Sequence, residues 1–147
     1  MGIYDVFCAL NRSNRLLRNA PATAGEIRAM EKSILTAFPS EYSDWLMLSD
    51  GGEICPPGLQ LYGVSSRNLI KEELLTFQNR LAFRSDVLHL PVDLLIIGKL
   101  CFGDYICVDR KSGERVVQWS VEDEQIFLTW SSFSVYLESE WLLSEEE

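Results

Sequence analysis

The spacing of apolar residues at the start of the chain is that of an α-helix. In Ile3–Leu17, the side chains of Val6, Leu10 and Leu17 fall near one helical face, and the arginines of this region suit a solvated flank. The pattern therefore predicts a first helix over this segment.

A second helix is indicated by the way it begins. Thr23 and Glu26 have the spacing of a capping box, in which each side chain accepts a hydrogen bond from a free backbone N–H of the first turn. Pro39 is expected to end the helix, because its ring removes a backbone donor and clashes with the preceding turn. The apolar positions between these signals follow helical spacing: Ile27, Met30, Ile34 and Phe38.

Two further helices and a strand are predicted in the middle of the chain. Ser40 is placed to cap a helix that continues to Ser49, and Gly51 offers the left-handed exit that helix ends favour. Leu59–Tyr62 is expected to form a short strand. A helix is then predicted from about Ser66 to Leu81, because its apolar residues share one face.

After Pro91 the apolar period changes from that of helices to that of strands. Short apolar or alternating segments are separated by turns, and a final helix is expected to begin at Ser131 or Ser132. Strands grouped together between helices predict an α+β fold, with a mainly antiparallel sheet flanked by helices. The predicted strands are Leu94–Leu100, Asp104–Asp109, Arg115–Trp119 and Gln125–Thr129, with a hairpin loop at Arg110–Glu114.

The length of 147 residues predicts a single domain, 1–147, in which residues 1–20 form an N-terminal helical extension. No apolar run approaches the ~18–20 residues that cross a bilayer, and no secretory signal is recognisable. We therefore expect a cytoplasmic protein. Its four cysteines, none in a C-x-x-C pair, are expected to be reduced, buried thiols: Cys8, Cys55, Cys101 and Cys107.

The net charge of −9 is distributed unevenly along the chain. Residues 1–115 carry 14 acidic residues and all 13 Lys and Arg residues, whereas residues 116–147 carry eight acidic residues and no Lys or Arg. Such a field repels nucleic-acid phosphates and attracts a basic protein surface. Direct nucleic-acid binding is therefore not expected, whereas a basic protein partner is.

Patterns that indicate catalysis or cofactor binding are missing from the sequence. His89 is the single histidine, so a multi-histidine metal site cannot form within one chain, and a structural or exposed loop role is favoured for it. No nucleotide-binding or nucleophile motif is present. The acidic run Glu122–Glu124 could collect a hard cation, but a solvated charge run is favoured. We expect no enzymatic activity, no cofactor and no metal.

Trp119 has two interpretations. It ends a predicted strand beside the acidic run, and an aromatic residue next to acidic residues is a common arrangement at protein interfaces. Core packing accounts for it at least as well, as it does for Trp45 and Trp141 at helical core spacing.

Taken in order, several motifs resemble the SUKH superfamily. The resemblance extends from about Ala22 to Leu142. The superfamily often has a Gly-rich loop before the Gly-Asp pair, and in this chain that loop is shortened to Lys99–Phe102. The motifs are Phe38-Pro39-Ser40-Glu41-Tyr42, Ser49-Asp50-Gly51-Gly52, Ile97-Gly98 with Phe102–Asp109, Gly113–Trp119, and Ser131-Ser132-Phe133 with Tyr136-Leu137.

This resemblance implies an α+β fold and a binding role. Bacterial members act as immunity proteins against toxins such as nucleases and deaminases, and a fungal Smi/Knr-like relative regulates cell-wall assembly as an interaction scaffold. We therefore expect a protein that neutralises a cognate toxin by covering its basic surface, as a monomer or weak homodimer away from membranes. The residues expected to bind the toxin are Asp50, Glu53, Asp104, Trp119, Glu122, Asp123 and Glu124.

Two other functions remain open at this point. A cytosolic scaffold in cell-wall assembly or signalling would have several stable partners and no adjacent toxin gene. An acidic enzyme would require a pocket around His89 lined by carboxylates.

Overall fold

In the computed structural model, residues 2–55, 58–68, 89–91, 93–111 and 113–142 are described, and within them seven strands form one antiparallel sheet. Helices lie before the first strand, between the first and second strands, and after the last strand, which confirms the predicted α+β class. In chain order the elements are α1 (Ile3–Arg12), β1 (Leu16–Leu17), α2 (Ala24–Ile34), α3 (Ser40–Leu46), β2 (Gly52–Ile54), β3 (Leu59–Leu61), β4 (Leu94–Leu100), β5 (Tyr105–Asp109), β6 (Val116–Ser120), β7 (Gln125–Trp130), α4 (Phe133–Leu137) and a π-helical segment (Glu138–Leu142).

The strands of the sheet lie side by side in the order in which they occur in the chain, from β1 to β7. Every neighbouring pair is antiparallel, so the sheet is a meander whose two edges are β1 and β7. In such a meander alternate turns lie at the same end of the sheet. The turns after β2, β4 and β6 therefore share one end.

The central strands β5 and β6 are buried along their whole length. The alternation of Ile106 and Val108 with Tyr105 and Cys107 consequently does not produce one inner and one outer face, because both faces are covered. The buried apolar side chains of the helices and the sheet form one cluster, and Phe7, Trp45 and Phe133 meet there edge to face. Trp45 and Trp141 are both buried, as their spacing predicted.

The first helix is shorter than its apolar pattern predicts. It ends at Arg12, and Asn14 adopts the left-handed conformation with φ 61°. The reversal lets Leu16 and Leu17 pair with β2 as the edge strand β1. Leu17 is 58% exposed and does not belong to the helix.

The capping box of α2 is confirmed. The Thr23 hydroxyl accepts the Glu26 N–H at 3.1 Å, and the Thr23 N–H donates to the Glu26 carboxylate at 3.0 Å. The hydrogen bond from the Thr23 backbone holds the pKa of the Glu26 carboxyl below its usual value. The helix nevertheless ends at Ile34, before Pro39, because Leu35 turns into the left-handed conformation with φ 59°.

The predicted start and end of α3 need correction. Pro39 occupies the N-cap position, and Ser40 is the first helical residue. The Ser40 hydroxyl contacts Glu114 rather than its own helix. The helix ends at Leu46. Gly51 does take the predicted left-handed conformation, with φ 72°.

The predicted strands and final helix agree with the structure to within a residue or two at each end. Ser132 caps α4, since its hydroxyl accepts the Val135 N–H at 3.2 Å. Of the helix predicted from Ser66 to Leu81, the described residues 66–68 lie in a turn, and the remainder falls outside the described residues. The cysteines are free thiols; Cys107 is buried, but Cys101 is exposed, contrary to the expectation for it.

Candidate functional site, an acidic groove at one end of the sheet

Two neighbouring turns at one end of the sheet enclose a groove of about 610 Å³. One turn joins β4 to β5 and the other joins β6 to β7, so the meander brings them together. We call this feature the acidic groove. Its lining residues are Phe102, Gly103, Asp104, Gln118, Ser120, Val121, Glu122, Asp123 and Phe127.

The carboxylate of Asp104 holds the two turns of the groove together. Its Oδ2 atom accepts a hydrogen bond from Gln118 Nε2 at 3.0 Å, and its Oδ1 atom accepts the Val121 N–H at 3.2 Å. A carboxylate with two such donors keeps its orientation before any partner arrives. The groove is therefore preorganised on its Asp104 side.

Glu122 and Asp123 supply the solvated negative charge of the groove. Both are exposed, and neither side chain has a hydrogen-bond or ion-pair partner within the part of the chain that the structure describes. The turn itself is ordered by the Asp123 N–H, which donates to the Ser120 hydroxyl at 3.2 Å. The backbone is thus fixed while the two carboxylates stay available to a positively charged group.

Glu124 does not line the groove, and its carboxylate pairs with His89 instead. Its backbone is left-handed, with φ 54°, and its carboxylate contacts His89 Nδ1. Both side chains are about half exposed. His89 is therefore an exposed loop residue bound to the β6–β7 turn, as one of its sequence interpretations held.

Two exposed aromatic side chains lie in the acidic groove. Phe102, in the β4–β5 turn, is 67% exposed, and Phe127, on β7, is 61% exposed. Gln118 pairs with Leu128 and Trp119 with Ile126, so Phe127 is the extra residue of a β-bulge. Bulges of this kind re-aim a side chain and bend the strand.

Trp119 does not supply an exposed aromatic surface to the groove. It lies on β6 beside the groove, but it is only 4% exposed and belongs to the buried cluster. Of its two sequence interpretations, its burial agrees with core packing.

Asp50 is also buried, at 1% exposure, and lies away from the groove. Its two carboxylate oxygens accept the Val64 and Ser65 N–H groups at 2.7 and 3.0 Å. The nearby Gly51 carbonyl accepts the Trp45 indole N–H at 3.0 Å. The Ser49–Gly52 motif therefore joins α3 to the loop after β3, and the structure contradicts the expectation that Asp50 lies near Glu122–Glu124.

Glu53 likewise does not line the groove. It belongs to β2, and four strand spacings between β2 and β6 correspond to about 19 Å. Its carboxylate accepts Gln60 Nε2 at 3.0 Å and lines a separate cleft of about 410 Å³ that also contains Arg67. The expected cluster thus separates into Asp104, Glu122 and Asp123, which the groove brings together, and Asp50 and Glu53, which it does not.

Phe102 and Phe127 were not anticipated as site residues. The available signal was the uninterrupted apolar triplet Ile126-Phe127-Leu128 in a predicted strand, which departs from the alternation of a half-buried strand. No local pattern marks the exposure of Phe102, because it depends on how the β4–β5 turn leaves the sheet.

The described residues include neither a cluster of metal-ligating side chains nor a membrane-spanning helix. Within these ranges no group of three or more His, Cys, Asp and Glu side chains is arranged to hold a metal ion. None of the helices in the same ranges is both long and apolar enough to span a bilayer.

Comparison with known proteins gives a family match and a structural match. The model of the SMI1 / KNR4 family (SUKH-1) matches residues 21–139. A crystal structure of a protein from Pseudomonas syringae pv. tomato superposes with a TM-score of 0.69 at 17% identity, covering 95% of this chain and 98% of that one. At that identity the likeness concerns the fold alone. No curated protein matches the chain.

Proposed function

The chain belongs to the SMI1 / KNR4 family (SUKH-1), and from this premise we propose that it is an immunity protein that binds a protein toxin through the acidic groove. The toxin is of the nuclease or deaminase type, and binding covers its basic surface. This role is the one that the SUKH resemblance implies for bacterial members.

The observation that carries the proposal is the placement of three carboxylates in one groove. Asp104 is fixed by its two donors, whereas Glu122 and Asp123 are exposed. No Lys or Arg follows residue 115, so the segment that forms this side of the groove has no basic side chain of its own to neutralise them. A partner that supplies positive charge removes the repulsion among the carboxylates.

A nuclease or deaminase provides such a surface. Its substrate cleft is basic because it holds phosphate groups. An acidic surface that meets it accelerates association and disfavours partners of the wrong charge. Binding there also excludes the nucleic acid, so neutralisation requires no chemistry on the toxin.

Phe102 and Phe127 support the same proposal from the apolar side. Interface energy is concentrated in a few well-packed aromatic and arginine side chains near the centre of the contact, whereas exposed rim charges contribute little. Two exposed aromatic rings in the same groove as the acidic residues can serve as that centre. Arg side chains of the partner can stack on the rings and reach the carboxylates together.

The test is a rescue experiment with a toxin encoded beside the gene. The double variant Glu122→Lys/Asp123→Lys reverses the two solvated charges. We expect it to bind the toxin at least about tenfold more weakly at low salt and to lose protection of cells that express the toxin. The difference between variant and parent should shrink as salt rises, because salt screens solvated charges.

The matched control is Asp44→Lys/Glu140→Lys, which changes the net charge equally at two exposed positions outside the groove. It should bind and protect like the parent protein. If both double variants lose affinity equally, net charge rather than the groove governs binding, and the proposal fails. Stable partners without toxin rescue would instead favour a scaffold role.

A further inference from the structure

Among the described residues, the edge strand β7 has no neighbouring strand along its outer side. It pairs with β6 on one side, and no strand among the described residues pairs with it on the other. All of Gln125–Thr129 is exposed. An exposed strand edge presents unpaired backbone N–H and C=O groups, which act as a template for another strand.

The side chains of β7 do little to prevent such pairing. Natural edge strands are usually protected by charged residues, proline or very short length. β7 has six residues, none of them charged or proline, and Ile126, Phe127 and Leu128 are each at least 40% exposed. The bulge at Phe127 is the protective feature that the strand does carry.

The open edge is continuous with the acidic groove. Phe127 belongs to both, and the turn that carries Glu122 and Asp123 leads directly into Gln125. One extended segment can therefore lie along β7 and reach the groove at the strand's beginning.

The negative charge of the Glu122–Glu124 turn favours a basic partner over a second copy of this chain at the β7 edge. If β7 paired antiparallel with β7 of a second copy, Glu122–Glu124 would lie beside residues 131–133, which are uncharged. The nearest preceding basic residue, Arg115, is already paired with Asp109 at 2.5 Å. A second copy therefore leaves the acidic turn unmatched, whereas a partner with basic residues at that end does not.

We propose, on the basis of the function proposed above, that the partner adds an extended segment antiparallel to β7 as an eighth strand, with basic side chains at its carboxyl end. Backbone hydrogen bonds along β7 provide affinity in this mode, and the side chains provide specificity. The direction follows from the antiparallel arrangement, because the carboxyl end of the added strand then lies beside the turn that carries Glu122 and Asp123.

The probe is a capped eight-residue peptide of alternating threonine and valine with two lysines at its carboxyl end. Two further versions are N-methylated at alternate residues, one on each edge of the peptide. A strand bonds its neighbour through one edge only, so we expect one methylated version to bind about tenfold more weakly and the other to bind like the parent peptide. A version with glutamates in place of the lysines should bind about tenfold more weakly as well.

Two measurements on the full chain complete the test. Hydrogen exchange of backbone amides in Gln125–Trp130 should slow when the lysine peptide is bound. The variant Phe127→Lys should weaken peptide binding, whereas Leu17→Lys, a similarly exposed apolar residue on the opposite edge strand, should not.

The inference is overturned if the lysine peptide does not bind, if the two methylated versions behave alike, or if β7 shows no protection. It is also overturned if the protein forms a dimer that Phe127→Lys disrupts and that excludes the peptide. These failures are distinct from failure of the proposed function. If Glu122→Lys/Asp123→Lys loses toxin rescue but the amides of β7 show no slower hydrogen exchange, the immunity role stands and strand addition is wrong.

Discussion

Acidic side chains have opposite roles on the two sides of the sheet. On the β1 side, Asp50 is buried and both of its oxygens accept backbone N–H groups. On the β7 side, Glu122 and Asp123 are exposed, and no described residue forms a hydrogen bond or an ion pair with either carboxylate. The two edges are about 29 Å apart, which is six strand spacings. Between Asp50 and the pair Glu122 and Asp123, burial therefore separates the structural carboxylate from those that are available to a partner.

The largest expected effect is that of Asp50→Ala on stability. The variant leaves the buried Val64 and Ser65 N–H groups without an acceptor, and each such group costs about 1–3 kcal/mol. We expect the free energy of unfolding to fall by about 3 kcal/mol in chemical denaturation. The exposed Asp44→Ala serves as the control and should change it by less than about 0.5 kcal/mol. Equal effects of the two variants would remove the distinction between the edges.

A smaller effect is expected for Tyr42→Phe, which also tests the buried polar groups on the β1 side. The Tyr42 hydroxyl donates to the Tyr62 carbonyl, and its loss should cost about 1 kcal/mol at pH 7. Burial, and secondarily the charge of Asp50, raises the pKa of Tyr42 well above its usual value.

The pH dependence has a definite sign. In alkali the folded protein keeps a proton on Tyr42 that the unfolded chain loses near pH 10. The contribution of Tyr42 to the free energy of unfolding is therefore complete below pH 10 and declines above it. Between pH 10 and pH 11, Tyr42→Phe should therefore lose about 1 kcal/mol less stability than the parent protein. Parallel stability curves for the two proteins would contradict this.

The smallest expected effect is on the β7 side. Asp104→Asn removes one of the two acceptor positions that join the turns of the groove, and we expect a loss of about 0.5–1 kcal/mol in unfolding free energy. Glu122→Gln/Asp123→Asn is the matched amide variant of the solvated acids and should change stability by less than about 0.5 kcal/mol. A larger loss in the double variant would show that these acids are structural.

Elements marked by local signals were predictable from the sequence. The capping box of α2 and the bounds of β4 were right because side chains within a few residues of each other define them. Leu17 was assigned to the wrong element, because its helical spacing is overridden by pairing with Glu53 on β2. The short strand β2, which Gly52 begins by pairing with Leu61, has no local signal and was not predicted.

The candidate site was predictable only in part, for the same reason. Glu122 and Asp123 are conspicuous as a charge run, and Asp104 follows from its place in the Gly103-Asp104 motif. The exposure of Phe102 and Phe127 depends on a turn and on a bulge that no local pattern specifies.

The sequence by itself determined the α+β class, the family, the order of most strands and the negative charge of the final segment. These properties follow from local spacing, composition and motif order. Only the tertiary structure decided which acids face water, because burial depends on contacts between segments far apart in the chain. Asp50 is a buried acceptor because the tertiary structure brings the loop after β3 to it. The groove exists because the meander places the turn after β6 beside the turn after β4.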